Sequence, residues 1–508
     1  MPNNNPKKQT HPLLITGMLL IVSLSLRYMV IGKGFYHTDN LFLSIQAAKI
    51  LATGQMHYLH LVGYPLTGLL GALFLKIGQL LGVTNPALSI NSLSAVFSSL
   101  SIVLYYLVVK RIADRTVALC SAGLVMVHPL FWAASVFGNS HMPSLFFFFA
   151  SLYLLLKYID HDRYVFLWFS ASSAGLMLAA RPQNTILLFL LSYVILARTL
   201  PGPGTPKSRS RIQDVTVFFL ILSLIFVFFY LPMLHTHQRI VIDDGTLGTL
   251  SEEVFTDWAA FALPISLKHT LFTFTPWGIG LILLGLTFVL IKSRALFGLI
   301  LVWALPSWLL FGGLVTYVPR YSLSSVFALT IAIAFFLSFL IKKNRYLAVM
   351  GGIVYALLIM LWVTSIYNVL LFRHQNDRMQ DFGLWVKEHT APQAVIYCQD
   401  ESIIIRHYAG REVKKPPFVK YAGRAYQRAD LERLSGVIND LKGMLKAGTP
   451  VYITHSALTA YDPENRFLKT LQNSFRLESL GGTVLEEWHQ GITRLLLYRE
   501  ELYRIRIR

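Results

Sequence analysis

The segment GYPLTGLLGALFLKIGQLLG, residues 63–82, decides how the chain is read. It is apolar and almost long enough to cross a bilayer core of about 30 Å, which takes about 20 residues of helix. It also carries Lys76 and Gln79 and opens on a Tyr64-Pro65 turn. Counted as a span, it inverts every loop that follows. Laid along the membrane surface as an amphipathic helix, with Lys76 and Gln79 toward water, it keeps the loop charges in a consistent order. The charges therefore select the second reading.

Eleven other runs are apolar, at about 12–31, 91–109, 116–133, 142–156, 164–180, 184–197, 215–234, 276–291, 295–312, 321–341 and 347–371. Basic clusters fall in alternate connections: Lys7/Lys8, Lys110/Arg111/Arg115, Lys157/Arg163, Arg198/Lys207/Arg209/Arg211, Lys292/Arg294 and Lys342/Lys343/Arg345. Such clusters are retained on the cytoplasmic side. The N-terminus is thus expected in the cytoplasm and the C-terminal segment outside it. The outer connections then include a first loop, 33–90, and a long one, 235–275. The first run lacks the small-residue exit of a cleaved signal and reads as an anchor, with Arg27 facing protein or interface.

Composition agrees. Hydrophobic residues are 54% and charged residues 14% of the 508, against about 25% charged in soluble domains; mean hydropathy is +0.53. The formal net charge is +19, but its basic residues sit as loop anchors rather than as a patch on a polar fold, which argues against nucleic-acid binding. Two cysteines, Cys120 and Cys398, make no disulfide framework. No glycine-rich phosphate loop or zinc motif is present. No internal repeat is visible, which weakens a transporter reading built on inverted repeats.

From residue 373 onward the composition becomes that of a soluble domain. Short apolar runs at 394–398, 450–454 and 494–498 read as strands. Asp381 to His389 reads as a helix start, and 429–447 reads as an amphipathic helix. The expected architecture is a polytopic α-helical membrane module, 1–372, and a small extracytoplasmic α/β domain, 373–508. The site of action is a cell membrane, plasma or inner.

The first outer loop holds the chemistry, in Tyr36-His37-Thr38-Asp39-Asn40 ahead of a helix ending near Gly54. Thr38 or Asp39 is an N-cap on one reading, since such side chains satisfy orphan N–H groups; on the other, Asp39 is a working carboxylate. Arg181 and Arg320 stand at outer ends of runs, against the charge trend. Snorkelling to headgroups explains them, and so does a function, the default for a charge at the membrane boundary. Tyr317, Pro319 and Tyr321 flank Arg320. Asp243 and Asp244 are a solvated turn or hard oxygen ligands for a divalent cation. His141, beside Asn139, caps a helix or lines a cavity.

The order of these features resembles the GT-C superfamily of membrane glycosyltransferases, of the protein O-mannosyltransferase and aminoarabinose-transferase, dolichyl-phosphate-mannose-dependent type. The carriers are Tyr36 to Asn40, Gly63-Tyr64-Pro65-Leu66, Asn139-Ser140-His141-Met142-Pro143, Ala180-Arg181-Pro182 and Pro319-Arg320-Tyr321. The resemblance implies a GT-C-like bundle of about 11 transmembrane helices with interfacial helices in the first outer loop. It implies a polyprenyl-phosphate-linked sugar donor, an acceptor that is protein, lipid or polysaccharide, and hexosyl or pentosyl transfer with inversion. Asp39 is then the catalytic base, and Arg320 and Arg181 hold the donor phosphate. His37, Asn40, Tyr321 and His141 are further substrate-binding candidates. Asn40 departs from relatives that carry a second acid there. Two other classes stand beside this one: a lipid-linked glycan flippase or small-molecule transporter, and a non-catalytic scaffold of a cell-envelope assembly.

Overall fold

The computed structural model describes residues 12–57, 63–197, 211–236, 263–314, 319–399, 401–416, 418–420, 427–429, 431–459, 462, 465–487 and 493–508. Each of the eleven apolar runs is helical. The membrane module opens with α1 (Pro12–Tyr28), α2 (Thr38–Thr53), α3 (Pro65–Leu80) and α4 (Pro86–Ile112). The chain continues through α5 (Arg115–Val127), α6 (Pro129–Ser135), α7 (His141–His161), α8 (Tyr164–Ala180) and α9 (Leu188–Ala197). It closes with α10 (Arg211–Thr236), α11 (Leu263–Lys292), α12 (Arg294–Leu314), α13 (Leu323–Lys343) and α14 (Arg345–Gln375). Among the described residues six helices are long and apolar enough to cross a membrane, or seven with α5 and α6 counted as one bent span.

The 184–197 run begins in a 3-10 turn, Pro182–Leu187, ahead of the ten-residue α9, and two further runs depart from the straight spans expected. The 116–133 run bends by 63° between α5 and α6. Its break is His128, whose ψ of 127° is extended; Pro129 follows and disfavours the helical region for the residue before it. The 276–291 run begins earlier than expected. Helix α11 already runs from Leu263, so the end of the 235–275 stretch is helix rather than loop. Thr275, again before a proline, sits at φ 64°, which breaks the helix and made Pro276 look like its start. The two breaks meet: the His128 and Phe274 rings are 4.6 Å apart, and the Trp362 indole N–H donates to the Phe274 carbonyl. Backbone freed at a break is thus satisfied inside protein, as a membrane requires.

Arg27 is fully buried and faces protein. Its guanidinium donates to Ser98 Oγ at 2.8 Å and lies over the Phe131 ring. Helix α3 has 16 residues, a length of about 24 Å, short of a span. It packs on α2, where Gly71 faces Ala47 and Leu43, and Gly68 faces Gln46.

The C-terminal unit follows α14 almost without pause. Helix α15 (Arg378–His389) starts after Asn376 and Asp377, and Asp377 caps it by accepting from Gln380 N–H. A five-stranded sheet has the order β2-β1-β5-β7-β6. Its strands are β1 (Val395–Tyr397), β2 (Glu412–Lys414), β5 (Val451–Thr454), β6 (Phe475–Glu486) and β7 (Leu497–Ile507). Strands β3 (Phe418–Lys420) and β4 (Gln427–Ala429) form a separate hairpin. Strand β1 pairs parallel with β2 and β5, while β7 pairs antiparallel with β5 and β6. The last strand starts at 497 rather than 494.

One face of this sheet packs under α16 (Leu431–Lys446) and α17 (Arg466–Ser474), around Ile453, Leu441, Phe467 and Ile505. The other face shares a core with the membrane module. Ile396, Tyr452, Leu485 and Leu502 belong to one buried cluster with Phe382 of α15 and with Leu41, Leu43 and Ala47 of α2. Helix α2 is therefore held between the membrane helices and the C-terminal sheet, and the first outer loop is part of the core of both.

Candidate active site

Helix α2 begins at Thr38 because the chain before it is extended and a side chain receives its first free N–H. That side chain is His37, not Thr38 or Asp39: His37 Nδ1 accepts from Asp39 N–H at 3.1 Å. The Asp39 carboxylate is left for another partner. Arg320, in a short helical turn at Pro319–Ser322, donates from Nη2 to Asp39 Oδ2 at 2.6 Å. Its Nη1 lies 2.7 Å from His37 Nε2. Arg320 is buried, while the Asp39 side chain is 29% exposed. The carboxylate is thus clasped by Arg320 and partly exposed.

His37 sits in an unusual position. A neutral imidazole has one N–H and one lone pair. Nδ1 meets a backbone N–H and Nε2 meets a guanidinium, so no neutral tautomer accepts from both.

Arg181 reaches the same place from the end of α8. Its Nη1 donates to Ser140 Oγ at 2.9 Å, and its guanidinium lies over the Tyr321 and Tyr64 rings, 5.1 and 5.6 Å from their centres. Tyr64 holds its place through a left-handed backbone, φ 45°, uncommon for a residue with a side chain. Burial pushes the Tyr64 phenol up and Asp39 adds to this, with Arg181 opposing, so it stays a neutral hydroxyl. Gln183 Nε2 donates to that hydroxyl at 2.9 Å. His141 is buried beside Tyr321, ring centres 5.9 Å apart. Asn139 caps α7 by accepting from His141 and Met142 N–H, so the capping belongs to Asn139 rather than His141.

A small, part-open cleft lies beside Asp39. Asp39, Phe42, Gln46, Tyr64, Asn139 and Ser140 line it. Arg181 Nη2 and Arg320 Nε are buried with no hydrogen-bond partner among the described residues. Their side chains bond the lining residues Ser140 and Asp39, and two such donors suit a ligand rich in acceptors.

Asn40 is expected to touch substrate; its Nδ2 is engaged in the fold, and its Oδ1 is buried with no hydrogen-bond partner among the described residues. It is fully buried and donates from Nδ2 to Asn91 Oδ1 at 2.8 Å, and Asn91 in turn binds the Gly32 and Gly34 carbonyls. It ties the start of α2 to α4. Asp243, Asp244 and Tyr317 lie outside the described residues. Among the described residues no three His, Cys, Asp or Glu side chains are grouped to hold a metal ion. Tyr64 and Gln183 were not singled out from sequence, although the Tyr64-Pro65 turn and the Arg181-Pro182 pair beside them were.

Comparison with known proteins gives the same architecture. Residues 65–233 match the family described as dolichyl-phosphate-mannose-protein mannosyltransferase. No curated protein matches the sequence. The fold is that of ArnT from Cupriavidus metallidurans bound to undecaprenyl phosphate, with TM-score 0.57 at 12% identity over 96% of this chain and 97% of that one. The Archaeoglobus fulgidus oligosaccharyltransferase aligns with TM-score 0.53 at 12% identity, over 97% of this chain and 74% of its own. Arabinofuranosyltransferase AftD from Mycobacteria aligns with TM-score 0.53 at 13% identity, over 97% of this chain and 41% of its own.

Proposed function

We propose, on the premise that this chain has the fold of the GT-C membrane glycosyltransferases, that it is an inverting glycosyltransferase. It moves a hexosyl or pentosyl group from a polyprenyl-phosphate donor to an acceptor on the extracytoplasmic face of the cell membrane. The observation that carries this reading is the pairing of one half-open carboxylate, Asp39, with two buried guanidiniums that each keep an unpaired N–H, Arg181 and Arg320. The bound lipid of ArnT, undecaprenyl phosphate, supports the donor class. The distribution of basic loops supports the side.

The chemistry follows from the roles these groups can take. Asp39 accepts the proton of the acceptor hydroxyl. The acceptor oxygen then forms its bond to the anomeric carbon as the bond to the phosphate oxygen breaks, and the electron pair leaves with the phosphate. Proton removal by a placed base contributes about 10²–10⁴-fold. Arg320 and Arg181 hold the phosphate charge, for which a guanidinium fork is well shaped and always ionised. Arg320 is in contact with Asp39 and His37. A phosphate competes for the same fork, so its binding draws Arg320 off the carboxylate and leaves Asp39 free to take a proton. His37, His141 and Tyr321 complete the polar wall.

The test needs no knowledge of the acceptor. Protein purified in mild detergent is examined by native mass spectrometry for retained lipid, wild type against Arg320→Ala. A polyprenyl phosphate, or its sugar conjugate, held by wild type and lost by the variant supports the donor site and names the sugar. Wild type that retains none, even after incubation with a panel of such lipids, removes the main support for transfer.

A further inference from the structure

Tyr36 stands one residue before His37 and is buried. The Arg373 guanidinium lies over its ring, 3.8 Å from the centre, and Phe137 meets it edge-on at 4.6 Å. Arg373 is in the last turn of α14. Its Nε and Nη2 both donate to Glu486 Oε1, at 2.9 and 2.6 Å, and the two side chains are 2% and 4% exposed. Glu486 ends β6 in the C-terminal sheet. A continuous line of contact thus runs from that sheet, through Glu486, Arg373 and Tyr36, to the residue that caps α2.

Neighbouring contacts reinforce the line. His374 Nδ1 lies 2.7 Å from the Ile31 carbonyl. Gly34 packs so closely on Asp377 that a Cβ there would come within 2.0 Å of Asp377 Cγ. From the connection between β6 and β7, Arg494 lies over the Phe272 ring at 3.7 Å, and Leu495 packs against the membrane core. A buried ion pair adds little net stability, because desolvation offsets the attraction. Where such a pair is retained, fixing position is its best-attested use.

We propose that Glu486, Arg373 and Tyr36 are positioning residues, through which the C-terminal α/β domain fixes the segment that carries His37 and Asp39. The catalytic consequence rests on the reading of Asp39 as the base, but the mechanical claim does not. The domain is then a brace for the site as well as any surface it offers to an acceptor.

The test is amide hydrogen exchange on the full chain in detergent, with retention of added undecaprenyl phosphate measured in parallel. Glu486→Gln is expected to speed exchange over residues 35–41 about tenfold, while β1, β5 and α7 exchange as in wild type. Arg373→Lys, which keeps the charge, should return residues 35–41 to within about threefold of wild type, and Arg373→Ala should not. If Glu486→Gln also loosens β1 and β5, the sheet itself has been disturbed, and Tyr36→Leu decides. That variant removes the stacked ring but leaves the ion pair, and it is expected to loosen residues 37–41 alone. Wild-type protection of residues 37–41 in both Glu486→Gln and Tyr36→Leu overturns the proposal. Wild type that retains no undecaprenyl phosphate counts against the proposed function and leaves the exchange result to decide the brace.

Discussion

Arg320 and Asp39 are joined at 2.6 Å across a separation of 281 residues. The contact closes the 33–90 loop onto the turn before α13, so the candidate base and the candidate phosphate ligand are partners. Asp39→Asn separates their roles. The amide keeps the size of the carboxylate and releases Arg320, but it takes no proton. Transfer should fall by about 10²–10⁴-fold, the range of a lost general base, while retention of polyprenyl phosphate stays equal or tightens, because a negative competitor for Arg320 is gone. Native mass spectrometry and turnover on the same preparation check this; donor lipid lost together with turnover would assign Asp39 to binding instead.

Arg320→Ala removes the cation and leaves Asp39 and His37 without it. Breaking a buried pair by deleting one partner costs about 3–5 kcal/mol, and Asp39 is partly open to solvent, which places the expected loss toward the low end of that range. Thermal unfolding should shift down and lipid retention should drop. Arg320→Lys keeps a charge but not a fork that spans two acceptors. It should recover most of the thermal stability and only part of the retention. Equal recovery of both would reduce the guanidinium to a point charge.

Asn40→Asp tests why this chain departs from relatives with a second acid. Asn40 Nδ2 donates to Asn91 Oδ1, and a carboxylate there would set two acceptors against each other in a fully buried place. An unsatisfied buried group costs about 1–3 kcal/mol, more when charged. The variant should unfold at lower temperature and gain no transfer; the pair Asn40→Asp with Asn91→Lys, which restores a donor, should recover part of the loss. A variant as stable as wild type would show that the Asn40–Asn91 bond is dispensable.

The sequence carried the helices well because apolar runs of span length have few other uses in a chain. The loop charges set an expectation for each side, and on that expectation Asp39, Arg181 and Arg320 share one side. Their pairing was not legible, because nothing local in Pro319-Arg320-Tyr321 points to a loop 281 residues away. The cap was assigned to Thr38 or Asp39 by residue type, whereas backbone geometry gave it to His37. Tyr64 was hidden for a related reason: its role comes from a left-handed φ that its side chain does not favour. Strand β6 was not among the strands expected from sequence, and Gly481-Gly482 forms an irregularity in its register. A Cβ on Gly482 would come within 2.3 Å of the Glu500 carbonyl.

That same sheet makes a prediction about pH. Glu500 on β7 is buried, accepts from Ser456 N–H, and lies near Glu401. Burial first, and Glu401 second, push its carboxyl up to about 8. The unfolded chain releases that proton near the ordinary glutamate value of about 4.3. Between the two the folded state holds more protons than the unfolded one, so stability falls as pH rises through this window. Below it both states are protonated and the penalty vanishes; above it the penalty is complete. Exchange protection in β5 and β7 of the full chain should therefore decline from pH 5 to pH 8, after correction for intrinsic exchange rates. Glu500→Gln, which stays neutral, should flatten the decline and be the better protected at pH 8. A wild-type profile that rises over the same range would mean that Glu500 is ionised in the folded sheet.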